Sequence, residues 1–125
     1  MAITRGFRGA TTAEDNTSAH ISQAAQELIT KMIHENQLTA PSVSHIFFSM
    51  SPDLNATFPA KVVREIPGWK HVPVMCMQEV AVPDALEKCI RIMLVAHTSL
   101  AQEDVQHVFL NEAVKLRPDL TEEGE

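Results

Sequence analysis

A chain of 125 residues with 45% apolar residues and a net charge of −6 is long enough for one folded domain and too apolar for a disordered tail. It has no Lys-rich or Arg-rich run, which argues against nucleic acid and membrane surfaces as partners, although a few converging arginines can still bind a small anion. Two isolated cysteines and an N-terminus without an apolar stretch favour a cytoplasmic location without a signal peptide.

The first third of the chain predicts one strand and one long helix. Residues 2–9 predict a strand that turns at Gly9, and Asn16 and Thr17 offer N-cap chemistry. In residues 17–36 the apolar side chains recur at the spacing of one helix face, and polar residues fill the other face. We therefore predict an amphipathic helix from about residue 17 to residue 36.

The remainder of the chain predicts mainly strands. A short helical turn at residues 39–42 precedes them, and Pro59 favours a short helix over residues 60–66. The predicted strands are 43–50, 72–77, 90–96, 106–110 and 113–116.

The order of these elements predicts the fold class. A strand, a long helix and then mostly strands, without regular alternation, indicate an α+β domain with one mixed sheet over residues 1–125. Residues 121–125 are expected to be a flexible tail. One helix covers one face of such a sheet, so we expect a second subunit to cover the other face.

Two arginines occupy unusual positions. Arg91 lies in an apolar stretch between Ile90 and Ile92, and Arg8 lies at the end of the first predicted strand. A guanidinium in an apolar strand is costly unless it meets an anion. That anion is either an internal carboxylate, in an ordinary salt bridge, or a bound carboxylate or phosphate that contacts the planar guanidinium through two oxygens.

Other side chains with chemical potential have two interpretations each. Glu79 is either a solvated carboxylate at a strand end or a partner of Arg91 that balances positive charge on a substrate. Cys76 is either buried filler or a hydrogen-bond donor into a cleft, since no group nearby in sequence activates it as a nucleophile. The six histidines show no metal-binding spacing and no phosphate-binding glycine loop occurs, so we expect no metal and no cofactor.

Seven sequence blocks in collinear order resemble a known family. The blocks are RGATT at 8–12, SPDL at 51–54, FPAKVVRE at 58–65, VPVMCMQEV at 72–80, CIRIM at 89–93, HVFL at 107–110 and LRPDL at 116–120. Together they resemble the monofunctional, trimeric chorismate mutases of the α+β class. The resemblance implies a homotrimeric pseudo-α/β-barrel with active sites between subunits. There chorismate rearranges to prephenate, a step of the shikimate pathway in aromatic amino acid biosynthesis.

The same resemblance implies roles for individual residues. Arg91 matches the catalytic arginine that faces the ether oxygen, and Glu79 matches the carboxylate near the substrate ring and its hydroxyl. Arg8 matches the arginine that binds a substrate carboxylate, and Cys76 matches a cysteine near that hydroxyl. Other matched residues are the pocket residues Val74 and Met75, the adjacent subunit's contributions Phe58, Ala60, Lys61 and Arg64, and the C-terminal covering segment with Leu116 and Arg117.

Phe109 is a departure from the family pattern, which usually has Tyr at this position. The phenyl ring can still pack, but its hydroxyl is gone, and with it a hydrogen bond to a substrate carboxylate. Such a bond to a charged group contributes about 1.5–3 kcal/mol at most. Since Arg8 remains, we expect weaker binding and retained activity.

Two other functions remain compatible with these residues. One is a non-catalytic trimer that binds an anionic metabolite between subunits. The other is a general acid–base enzyme, such as a small tautomerase, that uses Glu79 or His107. A rearrangement gives a nearly flat pH–rate profile around neutrality, whereas acid–base chemistry gives a bell-shaped one.

Overall fold

A mixed five-stranded sheet and one long helix form the protein core in the computed structural model, which describes residues 2–116. Across the sheet the strand order is β3-β2-β4-β1-β5. Strand β4 runs antiparallel to β1 and β2, while the pairs β1–β5 and β2–β3 are parallel. The predicted α+β class with a mixed sheet is confirmed. The elements are β1 (Ile3–Thr12), α1 (Ser18–Asn36), β2 (Val43–Met50), α2 (Lys61–Arg64), β3 (Val74–Gln78), β4 (Cys89–Thr98) and β5 (Val108–Phe109), with 3-10 turns at Ala40–Ser42, Gln102–Asp104 and Asn111–Leu116.

Helix α1 confirms the strongest sequence prediction. The Thr17 side chain caps it by accepting a hydrogen bond from the His20 N–H at 3.0 Å. It ends at Asn36, and the capping residue Gln37 that follows has a φ of 52°, which is the left-handed conformation. The apolar stripe is buried against the sheet. Within residues 2–116 no helix is long and apolar enough to cross a membrane.

The contact between α1 and the sheet explains Gly9. A Cβ atom at this position would lie 2.4 Å from Met32 Sδ and 3.1 Å from Leu28 Cδ1. Gly9 therefore allows the helix to approach the strand closely. The predicted turn at Gly9 is wrong, because β1 continues to Thr12.

The other strand predictions are confirmed or adjusted at their ends, with one exception. Segment 43–50 matches β2, 90–96 lies within β4, 72–77 is displaced to Val74–Gln78, and 106–110 shrinks to Val108–Phe109. Residues 113–116 were predicted as a strand, but they belong to a 3-10 turn. Asn111 takes a left-handed φ of 55°, and the Ala113 N–H then bonds the Leu110 carbonyl at 3.0 Å.

The sheet face opposite α1, called the outer face below, is largely apolar. Side chains alternate along a strand, so the register places Phe47 of β2, Met75 and Met77 of β3 and Met93 of β4 on this face. All four are more than one-third exposed. One chain by itself leaves this surface uncovered.

Asn36 ties the end of α1 to the strand at the far edge of the sheet. Its buried side-chain amide donates a hydrogen bond to the Gln106 carbonyl at 2.8 Å and accepts one from the Gln106 N–H at 2.8 Å. The Gln106 backbone thus finds a partner in the helix terminus just before β5 begins.

Candidate active site

Arg91 and Glu79 form an ion pair beside the outer face. Arg91 sits in β4, paired in register with Ser49 of β2 and Ala10 of β1. Glu79 directly follows β3, and its N–H bonds the Met50 carbonyl at 2.8 Å. Arg91 Nε lies 3.0 Å from Glu79 Oε2, with the side chains 35% and 25% exposed. The Nε–H is not aligned with an acceptor, so this contact is an ion pair without a good hydrogen bond.

Ser49 is a third member of this cluster that sequence reasoning missed. Its Oγ donates a hydrogen bond to Glu79 Oε2 at 2.5 Å. A serine inside an apolar strand carries no sequence signature of such a role. Only the strand register reveals that it faces Arg91.

A cavity of about 260 Å³ opens beside this ion pair. Its lining includes Asp53, Glu79, Arg91, Cys89 and the loop residues 80–82 and 85–87. It therefore brings one cation, Arg91, together with the carboxylates of Asp53, Glu79 and Glu87 and with apolar wall atoms within one small volume. A hollow of about 430 Å³ between β1 and α1 is larger, but among the described residues its lining holds Glu14, Glu27 and Glu112 without any Lys or Arg, so no arginine or lysine there offsets the repulsion of an anionic ligand.

The turn after β2 fixes the beginning of β4, and with it the cavity wall. Ser51 Oγ accepts a hydrogen bond from the Cys89 N–H at 2.8 Å, and Asp53 Oδ2 accepts one from the Lys88 N–H at 2.9 Å. The two side chains also bond each other at 2.5 Å. Ser and Asp beside a Pro are typical of a turn that bonds nearby backbone. The block at 51–54 therefore has a structural role, which is to hold the start of β4, although it supplies no reacting group.

Both cysteines have raised pKa values. Burial raises the pKa of the Cys89 thiol, and the nearby Arg91 guanidinium only partly opposes this. Burial also raises the pKa of the Cys76 thiol, and a hydrogen bond with the Ala60 backbone offsets part of that effect. Neither thiol is activated as a nucleophile. Among the described residues, no three His, Cys, Asp or Glu side chains are placed to share a metal ion.

Arg8 and Phe109 contact each other near the β5 edge of the sheet, and the register places Arg8 opposite Met93, on the outer face. The Arg8 Cζ atom lies 5.6 Å from the centroid of the Phe109 ring, a cation–π distance. The backbone N–H of Arg8 donates a hydrogen bond to His107 Nδ1 at 3.0 Å, so this ring nitrogen acts as an acceptor. Leu116 is half-buried at the end of the 3-10 turn that follows β5. Arg117 and residues 121–125 lie outside the described residues.

The other matched residues form a separate group on β3 and α2. Val74 and Cys76 pair with the buried Ile46 and Phe48, so they point toward the α1 side of the sheet, and Cys76 meets Ala60 there. Met75 lies on the outer face. The remaining members are the half-buried Lys61 and the exposed Phe58 and Arg64.

Asn16 orders the segment that precedes Phe58. Its Oδ1 accepts hydrogen bonds from the N–H groups of Asn55 and Ala56 at 3.0 and 3.1 Å. Phe58 follows two residues later and is 73% exposed. An ordered backbone thus presents this ring to solvent.

The chain is similar to known chorismate mutases over most of its length. A family model described as chorismate mutase type I matches residues 4–120. The chain is 48% identical to the chorismate mutase AroH of Bacillus subtilis over 94% of its length and 92% of that protein. It is 40% identical to the chorismate mutase AroH of Thermus thermophilus, over 94% of the chain and 97% of that protein.

A solved structure extends this similarity to the fold. The chorismate mutase from Clostridium thermocellum superposes with a TM-score of 0.84 at 41% identity, over 87% of this chain and 96% of the other. The sequence match and the structural match agree, and the residues 4–120 matched by the family model include Arg8, Glu79 and Arg91. The chain therefore belongs to the chorismate mutase type I family.

Proposed function

We propose that this isomerase converts chorismate to prephenate in the cytoplasm, with Arg91 and Glu79 as its catalytic residues. We further propose that each complete site is built by two chains of a homotrimer. The observation that carries the proposal is the Arg91–Glu79 ion pair open to a cavity of about 260 Å³.

The reaction needs no proton transfer. Chorismate carries two carboxylates and an enolpyruvyl ether, and its rearrangement is a concerted shift of electrons. The protein has to hold the flexible ether side chain over the ring, which is a proximity effect. It also has to stabilise a transition state in which the breaking C–O bond leaves negative charge on oxygen.

Arg91 suits the second task. The strand holds its backbone, and its guanidinium is already placed beside the cavity before a ligand arrives. A fixed cation opposite the ether oxygen interacts more strongly as negative charge develops there, so it lowers the barrier and not only the ground state.

Glu79 suits the positive side of the same charge separation. An anion-binding protein gains nothing from a carboxylate next to its binding cation, because the carboxylate repels the ligand. A polarised transition state has a positively charged portion that Glu79 stabilises. The presence of Glu79 at 3.0 Å from Arg91 thus favours a catalyst over a passive anion binder.

Arg8 is the residue that we propose for binding a substrate carboxylate. The Phe109 ring lies against its guanidinium, which restricts the orientations that this long side chain can take. The hydroxyl of a tyrosine is absent here, so Arg8 makes the larger contribution to binding that carboxylate.

The trimer explains the arrangement of the two residue groups. Arg91 and Glu79 lie beside the outer face, whereas Val74 and Cys76 point to the other side of the same sheet. A second chain supplies the group on β3 and α2 to the cleft of the first. Covering the exposed Met and Phe side chains of the outer face would also stabilise the assembly by apolar burial.

The first experiment measures the reaction itself. Purified protein is added to chorismate, the loss of chorismate absorbance is followed, and prephenate is confirmed by acid conversion to phenylpyruvate. A nearly flat pH–rate profile around neutrality supports the rearrangement. No loss of chorismate refutes the proposal, and a bell-shaped profile favours acid–base catalysis.

A mixing experiment tests the shared site. Arg91→Ala and Arg64→Ala chains, each with greatly reduced activity, are refolded together. Because each half of a site is drawn independently, about a quarter of the sites then combine two intact halves. Activity should return toward that fraction. The control mixes Arg91→Ala with Glu79→Ala, where both changes fall in one half and no activity should return. Equal results for the two mixtures would rule out sites shared between chains.

A further inference from the structure

Ser49 and Arg91 meet the same oxygen of Glu79. Ser49 Oγ lies 2.5 Å from Oε2, and Arg91 Nε lies 3.0 Å from it. Ser49 stands in the middle of the sheet, in register with Arg91 on one side and Met77 on the other. Its backbone position is therefore fixed by two neighbouring strands, and its hydroxyl is a firm anchor for the carboxylate.

This arrangement differs from the usual pairing of an arginine with a carboxylate. The strongest pairing is fork to fork, in which both carboxylate oxygens take parallel hydrogen bonds from the guanidinium. Here the ion pair runs from Nε to one oxygen, and the N–H is poorly aligned. The Ser49 hydroxyl donates to the oxygen that already faces Arg91, and this bond restricts the rotation that would bring the second oxygen, Oε1, toward the guanidinium.

We infer that Ser49 is a positioning residue that keeps Glu79 from closing on Arg91 in a fork-to-fork pair. The inference rests on the proposed function, since it concerns the availability of the Arg91 cation to the ether oxygen. With Ser49 in place, the Nη end of the guanidinium stays available to the substrate. Without the hydroxyl, Glu79 is free to rotate and to engage the Nη end of the guanidinium with its second oxygen as well.

The expected kinetic signature follows from this role. The interaction of Arg91 with the ether oxygen strengthens mainly in the transition state, so its loss lowers kcat more than it changes KM. A serine with a merely structural role would instead lower the unfolding temperature and leave kcat per folded molecule unchanged. The two roles are therefore separable in one set of measurements.

The test compares Ser49→Ala, Ser49→Thr and the control Ser44→Ala, which removes an exposed hydroxyl from the same strand. For Ser49→Ala we expect kcat to fall about tenfold with KM changed by less than about twofold, as for the loss of one strong hydrogen bond. Thr keeps the hydroxyl and suits a strand, so it should restore kcat to within about threefold of the original. Ser44→Ala should behave like the unchanged protein.

Two results overturn the inference. One is an unchanged kcat in a folded Ser49→Ala protein, and the other is a Ser49→Thr protein as impaired as Ser49→Ala. If Ser49→Ala does not fold, Ser49→Cys keeps the volume with a weak donor, and it should show the same loss of kcat.

Arg91→Ala in the same series separates the two proposals. If the unchanged protein does not convert chorismate, the proposed function itself is wrong. If it does, and Arg91→Ala is inactive while Ser49→Ala is not impaired, only the role of Ser49 is wrong.

Discussion

Replacing Arg91 probes the charge on which the proposed mechanism depends. Arg91→Ala removes both the positive charge and the hydrogen-bond donors. Arg91→Lys keeps the charge and loses the planar fork. Citrulline at the same position keeps the shape and most donors but is neutral, so it isolates the contribution of the charge.

The magnitude follows from the setting of Arg91. Its side chain is 35% exposed, so an effective dielectric constant of about 20 applies and not that of a dry interior. A unit charge about 3 Å from an oxygen that gains about half a charge then contributes about 3 kcal/mol to the barrier, or about a hundredfold in rate. The lost hydrogen bond to a charged group adds about 1.5–3 kcal/mol. We thus expect kcat to fall about 10³–10⁴-fold for alanine and about 10²-fold for citrulline.

The assay is the loss of chorismate absorbance under saturating substrate, together with a thermal unfolding curve for each variant. Arg5→Ala is the matched control, because Arg5 is an arginine on β1 that bonds the Leu100 carbonyl and lies on the opposite face of the sheet. Its kcat should stay unchanged. If the citrulline protein folds normally and retains full kcat, the electrostatic account of Arg91 is wrong.

Three further predictions concern residues around the site. Phe109→Tyr restores a hydroxyl that can bond a carboxylate, so KM for chorismate should fall by up to about tenfold; an unchanged KM would mean that the ring edge does not face the substrate. Burial raises the pKa values of Cys76 and Cys89, so alkylation by iodoacetamide should be slow at neutral pH and accelerate above the ordinary cysteine range. Because these thiols have a higher pKa in the folded state than in the unfolded state, the free energy of unfolding should fall as the pH rises through the folded-state pKa values. Rapid alkylation at neutral pH would contradict both expectations. Asn16→Ala frees the segment before Phe58, so KM should rise several-fold while the free energy of unfolding falls by only about 1 kcal/mol; a loss of stability without a change in KM would argue against a role for Phe58 in binding.

The long helix could be predicted because its signal is local. Residues 17–36 repeat their apolar side chains at a fixed period, and Thr17 supplies the cap next to them. Gly9 could not be interpreted in the same way. A glycine favours a turn in the sequence, but here it makes room for Met32, which lies far along the chain.

The last predicted strand failed for a related reason. Ala113, Val114 and Leu116 are apolar enough for a strand, but the chain direction is set by the left-handed backbone of Asn111. An asparagine tolerates the left-handed conformation without requiring it, so the residue type alone does not predict that the chain turns away from a strand here.

A residue of the candidate site could be predicted from the sequence where its burial costs free energy, and could not be predicted where its type is common in its sequence context. Arg91 stands out because a guanidinium in an apolar strand needs an anion, and Glu79 is the anion that it meets in the chain itself. Ser49 stands in no unusual context, and only the register of three strands brings it to Glu79. Cys76 and Glu79 are three residues apart, and a period of two places such residues on opposite sides of a strand. Under the proposed function, the two side chains can therefore share a site only if a second chain takes part in it.

The double hydrogen bond between Asn36 and Gln106 has a consequence for how a ligand would be received. It fastens the approach to β5 onto the rigid end of the helix, so the ring of Phe109 and the guanidinium that lies against it are in position while the cleft is still empty. These two side chains then lose less conformational entropy when a ligand binds, so this part of the binding site is preorganised.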